Sequence, residues 1–398
     1  MSTTATVTEA APAPSPVLKL NSSAANEQTS SSPATQPYRY SHLLPHFSQD
    51  HYPPLEPFEH VDPGHRALAR EREAIANGTI AEGSTPLPSF LRSPNVTLSE
   101  ITPNLGVEVS GVSLSQLDDA ARDDLALLVA RRGLVIFRNQ QEFIDSSPEA
   151  YKEWGRYFGR LHIHPTSGHP EGHPEIHLVY RDENTTFNFE REDSISTLSW
   201  HSDVSYELQP PGLTTFFLIA QPHARGEGLE ESFSGGDTLF TSQVAALKRL
   251  SPEFVEFLRG LKAVHSGFEQ AAYSRAGNRG GIVRRDPVEH IHPLIRRHPV
   301  TGDEALYVNR QFTRRIVNLK REESAEAILR LLYDHIDKSG DHQARLKWSP
   351  YTVALWDNRV TAHSAIVDFK DGKQRRHGCR ITPQAERPIP AKEGLKLD

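Results

Sequence analysis

Five of the chain's 20 histidines have an acidic residue two positions later: His60/Asp62, His169/Glu171, His173/Glu175, His201/Asp203 and His335/Asp337. A histidine and a carboxylate at that spacing can chelate one ion when both leave the same face of a strand. On a helix the same spacing sends them about 200° apart. With 51 acidic residues among 398, about two or three such pairs arise by chance, so the local element has to choose among them. His335/Asp337 closes the helical run Ala-Ile-Leu-Arg-Leu-Leu-Tyr-Asp-His-Ile-Asp and is set aside. His60/Asp62 runs into Pro63-Gly64, and His169 and His173 sit among Pro and Gly turn residues. The bulky segment Ser199-Trp200-His201-Ser202-Asp203-Val204-Ser205-Tyr206 predicts a strand entering the Pro210-Pro211-Gly212 turn, which makes His201/Asp203 the best pair.

A third ligand is needed. His363 follows the apolar run Val353 to Trp356 and precedes a basic segment. Two histidines and one carboxylate on one face of an octahedron leave three positions open, the ligand set of non-haem Fe(II) oxygenases. The same side chains also suit a hydrolytic zinc. Five histidines crowd into 162–177 (His162, His164, His169, His173, His177), and the Pro and Gly between them predict a pocket-lining loop rather than a second metal site.

The elements that must hold these residues begin near residue 100. Residues 1–36 are Ser, Thr, Ala and Pro with few large apolar side chains, too little to offset the entropy of ordering, and read as a disordered tail. Residues 37–95 carry aromatics but are broken by Pro53-Pro54 and Pro63-Gly64, which predicts an irregular arm on the domain surface. Residues 96–390 read as one domain and 391–398 as a C-terminal tail. Within the domain, Leu105 to Leu114 reads as strand and turn. Ser115 is the expected N-cap of a helix ending at Gly133, and Leu134 to Phe137 follows as a buried strand. A helix opens at Ser147-Pro148 and runs through Phe158. Strands are expected over Leu213 to Ala220, Lys262 to His265 and Val353 to Trp356; helices over Ser242 to Leu250, Pro252 to Leu258 and Arg321 to Lys338. Helices gathered in blocks predict an α+β, mainly β fold, a double-stranded β-helix (jelly roll) core wrapped by helices.

Composition narrows the function. The chain is 37% hydrophobic with a formal net charge of −7, unlike a phosphate-backbone binder. No apolar run approaches membrane-spanning length and no basic, hydrophobic leader opens the chain, so a cytoplasmic protein is expected. A single cysteine, Cys379, leaves no internal disulfide and no Cys-based metal site.

The order of the motifs resembles the taurine catabolism dioxygenase (TauD/TfdA) family of Fe(II)- and 2-oxoglutarate-dependent oxygenases, and within it the fungal sulfonate dioxygenases. The resemblance covers about residues 100–388. It rests on Leu161-His162-Ile163-His164-Pro165, Trp200-His201-Ser202-Asp203-Val204, Gly235-Gly236-Asp237-Thr238-Leu239, Tyr307-Val308-Asn309 with Phe312-Thr313-Arg314, Trp356-Asp357-Asn358-Arg359 with His363, and Arg376-x-x-x-Arg380. It implies His201, Asp203 and His363 as Fe(II) ligands, with 2-oxoglutarate and O2 as co-substrates. Arg376 and Thr238 would anchor the far carboxylate of 2-oxoglutarate. His164, Arg380, Phe312 and Val204 would line the pocket for a small anionic substrate, a sulfonate above all, whose hydroxylated carbon would collapse to an aldehyde and sulfite. Halogenating relatives lack the carboxylate that Asp203 supplies, so hydroxylation is the implied chemistry. A sulfur-poor chain suits an enzyme made when sulfur is scarce.

This sequence departs from the taurine enzymes in two places. Their tyrosine three residues after His164 is Ser167 here, and their asparagine three residues before Trp200 is Thr197. Both departures weigh against taurine itself while an anion pocket is kept. The polar 225–234 segment reads as an inserted loop. Three other readings stand beside this one: the same oxygenase chemistry on an aryloxyacetate, alkyl sulfate or other small anion; a zinc hydrolase; and an inactive jelly-roll binding protein. A homo-oligomer is possible in each.

Overall fold

Ten strands frame the site, several of them rich in β-branched and aromatic residues. They are β1 Thr97–Glu100, β2 Val107–Ser110, β3 Leu134–Phe137, β4 Ile176–Arg181, β5 Leu213–Ala220, β6 Thr238–Ser242, β7 Gln343–Leu346, β8 Val353–Asp357, β9 Thr361–Ala365 and β10 Arg376–Ile381. The computed structural model describes residues 38–48, 50–181, 199–220, 223–224, 232–233, 235–277, 282–366 and 375–397. The expected 1–36 tail, most of the 225–234 insertion and Thr197 lie outside the described residues. The chain divides into two compact units, 1–41 and 42–398. In the first, the described residues make one turn, Ser41 N donating to Tyr38 O at 3.0 Å. Everything below concerns the second.

Seven strands form one sheet in the order β1-β2-β3-β8-β5-β10-β4, antiparallel except for the parallel β2–β3 pair. A second sheet has the order β7-β6-β9. The two bury one core between them: Leu134, Ile136, Phe216, Leu218, Ala354 and Trp356 from the large sheet meet Phe240, Ala344, Leu346 and Trp348 from the small one and the residues just after it. At about 2 kcal/mol for each large apolar side chain fully buried, this core is the main force that sets the sheets facing each other. A separate core packs helices Gln243–Lys248, Pro252–Arg259 and Arg330–Lys338 against Leu294, Ile295, Leu306 and Val308. The fold is α+β with several antiparallel sheets. No helix among the described residues is long and apolar enough to cross a membrane.

Most expected elements are present within a residue or two, and the departures have identifiable causes. The arm expected to lack regular structure contains a 13-residue helix, α1 Gly64–Ala76. Pro63 begins this helix instead of breaking it: its φ of −56° and ψ of −29° are already helical, and proline is tolerated where no N–H is needed. Asp62 Oδ1 accepts from Gly64 N at 2.7 Å, and Arg66 and Arg70 pair with Asp123 to fasten α1 to the next helix. That helix, α2 Asp119–Arg132, is capped by Asp118, whose carboxylate accepts from Ala121 N, and not by Ser115, which sits in a 3-10 turn. An anionic cap also meets the positive end of the helix dipole. The helix expected over 321–338 is wound as a π-helix over Glu322–Leu329 before it becomes α-helical.

Candidate active site

The strand expected over 199–206 does not form. His201 meets β9 through one antiparallel bridge to His363, with His201 N donating to His363 O at 3.0 Å and the reverse bond at 2.8 Å. The chain then turns. Asp203 N donates to the Asn358 side-chain carbonyl at 3.0 Å, which takes that amide out of any ladder. Val204 sits at φ 39°, a conformation costing a β-branched residue on the order of 1–3 kcal/mol. Asn358 is itself fixed on every side. Trp356 Nε1 donates to it at 3.1 Å, and its own amide donates to Gly212 O at 3.1 Å and Thr214 Oγ1 at 2.7 Å. His201 and Asp203 therefore converge because a bridge holds one and Asn358 the other, not through strand alternation.

His363 completes the corner. Its Nε2 lies 3.7 Å from Asp203 Oδ1, and His201 Nε2 lies 3.8 Å from the same oxygen. One ligand atom from each of the three falls within 4.8 Å of the others; among the described residues this is the one His/Cys/Asp/Glu group so arranged. His201 Nδ1–H donates to Ser199 O at 2.8 Å, which leaves the lone pair on Nε2, as metal ligation requires. Both ring nitrogens of His363 and Oδ2 of Asp203 are buried without a protein partner. Burial, then His201 and Arg380, hold the His363 pKa well below the ordinary histidine value. A neutral imidazole with orphaned nitrogens beside an orphaned carboxylate oxygen fits a divalent metal.

The opposite wall is the inward face of β10, where Arg376, Gly378 and Arg380 alternate into the core side of the sheet. A Cβ on Gly378 would come within 2.4 Å of the Phe216 ring. The missing side chain lets that ring lie over Gly378 and against Arg380. The Arg380 guanidinium rests 5.3 Å from the ring centres of both Phe216 and Trp356 and donates to Asp203 Oδ1 at 2.5 Å. Buried Arg376 donates to Gly236 O at 3.3 Å, its Nε has no partner, and no carboxylate pairs with it among the described residues. Burial, then Arg181 and Arg380, bring its pKa down to about 9. Such a guanidinium is suited to an anion brought from outside. Nearby Thr238 accepts from Trp348 Nε1 at 3.1 Å, so its hydroxyl hydrogen is directed to another acceptor.

Phe312 and Val204 belong to one buried cluster with Tyr206, and the Phe312 ring meets His201 edge-on at 6.3 Å. His164 is buried on the 162–167 loop, and its ring stacks on His177 at 4.2 Å. Arg284, invisible to sequence reasoning, holds that loop by donating to the carbonyls of His164 (2.9 Å) and Ser167, while its own amide bonds Pro165 O at 2.7 Å. The crowded histidines do not gather on one ion: His162 bonds Glu207 at 2.9 Å, His169 Nδ1–H bonds Pro170 O at 2.7 Å, and His173 lies 3.8 Å from Glu149. His335 bonds Ala246 O from a helix, and Asp62 pairs with Arg359. Sequence reasoning also missed the buried Glu207, which takes both His162 and Arg285; these partners lie 45 and 78 residues away, with no local signal. Asn358 did have one, since it lies inside the quoted Trp356-Asp357-Asn358-Arg359 run.

Two histidines and a carboxylate converging beside two inward arginines define a non-haem Fe(II) oxygenase site using a keto acid. The profile of the family described as "Taurine catabolism dioxygenase TauD, TfdA family" matches residues 97–382, and the chain belongs to that family. It is an alpha-ketoglutarate-dependent dioxygenase. It is 44% identical over 362 residues to an alpha-ketoglutarate-dependent sulfonate dioxygenase of Saccharomyces cerevisiae, covering 90% of this chain and 80% of the relative. An alpha-ketoglutarate-dependent dioxygenase of Penicillium expansum is 38% identical, with 86% of each chain covered. The crystal structure of a taurine dioxygenase from Burkholderia xenovorans superimposes with a TM-score of 0.58 at 29% identity, covering 75% of this chain and 93% of that one.

Proposed function

We propose that the substrate is an alkyl sulfonate, hydroxylated at the sulfonate-bearing carbon to release sulfite. Balanced, one sulfonate, one 2-oxoglutarate and one O2 give an aldehyde, sulfite, succinate and CO2. One oxygen atom enters succinate and the other the substrate carbon, whose hydroxyl proton leaves as the C–S bond breaks. The observation that carries this reading is the placement of Arg380, 2.5 Å from Asp203, two strand repeats beyond Arg376 on the same face. One arginine is then available for each of two anions.

In this reading His201, Asp203 and His363 hold Fe(II), which supplies oxidative decarboxylation of the keto acid and the oxidising equivalent. Arg376 takes the far carboxylate of 2-oxoglutarate in its fork, and the Thr238 hydroxyl donates to the same group. Arg380 and the His164 ring bind the substrate oxyanion and orient its adjacent carbon toward the metal corner. Phe312 and Val204 exclude water from that carbon and pack on its chain. The two facing sheets are the walls of a double-stranded β-helix. The name of the yeast relative supports the sulfonate class.

Succinate formation by Fe(II)-loaded protein, measured with parallel panels of alkyl sulfonates, alkyl sulfates and aryloxyacetates, tests the substrate class. Stimulation by sulfonates above the other two is expected; stimulation by aryloxyacetates alone would overturn it.

A further inference from the structure

We infer that His177 is a substrate-binding residue which makes this pocket prefer a three-oxygen oxyanion over a planar carboxylate; the inference rests on the sulfonate reading above. The register of β4 against β10 sets His177 directly opposite Arg380 and Arg181 directly opposite Arg376. Opposed residues of an antiparallel pair leave the sheet on one face with their Cβ atoms about 5 Å apart. His177 thus shares the inward face with the arginine proposed to take the substrate anion. Its neighbours Ile176 and Leu178 point the other way into packed core, whereas His177 is half-buried.

Here an imidazole opposes a guanidinium, and a second imidazole, His164, lies 4.2 Å from the first at a 31° tilt. Thr166 N donates to His164 Nδ1 at 3.2 Å, which puts that ring's proton on Nε2 as a donor. A carboxylate presents two oxygens in one plane and is satisfied by an arginine fork. A sulfonate or sulfate presents a third oxygen out of that plane, which needs a donor from another direction. The two rings supply it, with His177 beside Arg380 and His164 stacked behind.

Calorimetric titration of Fe(II)-loaded, 2-oxoglutarate-saturated protein without O2 tests this, using butane-1-sulfonate and pentanoate as probes. His177→Phe keeps a flat ring against His164 and removes the N–H; His177→Gln keeps a donor and removes the ring. The wild type is expected to favour butane-1-sulfonate. His177→Phe should lose about tenfold or more of that affinity, the worth of one hydrogen bond to a charged group, with pentanoate nearly unchanged. His177→Gln should retain part of it, and 2-oxoglutarate affinity should stay constant throughout. Sulfonate binding by His177→Phe equal to the wild type would overturn the inference and leave the sulfonate reading standing. An equal loss for both probes and for 2-oxoglutarate would make His177 a merely structural residue. A wild type without preference for the sulfonate would sink the sulfonate reading, and this inference with it.

Discussion

The metal corner and the arginine wall face each other across one site but are built by opposite means. The corner is irregular: one β-bridge, a turn through Val204 at φ 39°, and an asparagine with every polar atom engaged. Hydrogen bonds direct His201 and the Asp203 backbone, and packing against Phe240 and Trp356 holds the His363 ring. The wall is regular, three residues of one strand alternating inward, and its cations are placed by packing: Arg380 on two aromatic rings, Arg376 in a buried slot with Nε unbonded. A metal demands exact directions, which a bond network provides. A carboxylate or sulfonate needs charge and a fork at the right depth, which strand geometry already provides.

This contrast can be broken from either side. The largest effect is expected at the wall: Arg376→Gln removes a buried fork and should raise KM for 2-oxoglutarate by about a hundredfold, with Fe(II) binding unchanged. A lost metal site in that variant would mean the two walls are one unit. Next, Asn358→Ala strips the acceptor from Asp203 N–H without touching a ligand. Metal titration should show about a tenfold loss of Fe(II) affinity, and an unaltered affinity would show that Asn358 does not set the corner. Gly378→Ala then probes the wall's dependence on packing. The added methyl meets the Phe216 ring at 2.4 Å, so a destabilisation of about 1–3 kcal/mol is expected in thermal unfolding, with sulfonate KM rising more than KM for 2-oxoglutarate.

The legibility of the two regions follows the same line. The wall was legible only through the resemblance that carries Arg376-x-x-x-Arg380: no strand was expected over 376–381, and it is β10 that puts the i, i+4 pair on one face. The corner was read correctly at His201, Asp203 and His363 as a converging trio, but through the wrong local structure. Strand periodicity was expected where a bridge and a turn stand, because Asn358, 155 residues downstream of Asp203, decides the backbone there. Helix α1 was missed for a similar reason: Pro63-Gly64 reads as a breaker until Asp62 and the partners of Arg66 and Arg70 on α2 are known.

The smallest expected effect lies behind both walls. Burial lowers the pKa of His265 and of His377 to about 3. A histidine whose folded pKa is depressed binds more protons unfolded, so stability is full above about 6.5 and falls as pH drops. Each should contribute about 1 kcal/mol of loss between pH 6.5 and 5.5. Replacing His265 by Asn should flatten the fall in thermal stability over that interval, and an unchanged slope would mean His265 is not part of it.

The most direct test of the whole account counts sulfite and succinate in the same reaction, with Fe(II), O2, 2-oxoglutarate and an alkyl sulfonate. The account predicts one sulfite per succinate, both abolished when 2-oxoglutarate is omitted. Sulfite that persists without 2-oxoglutarate, or succinate that accumulates with no sulfite across the sulfonate panel, would contradict it.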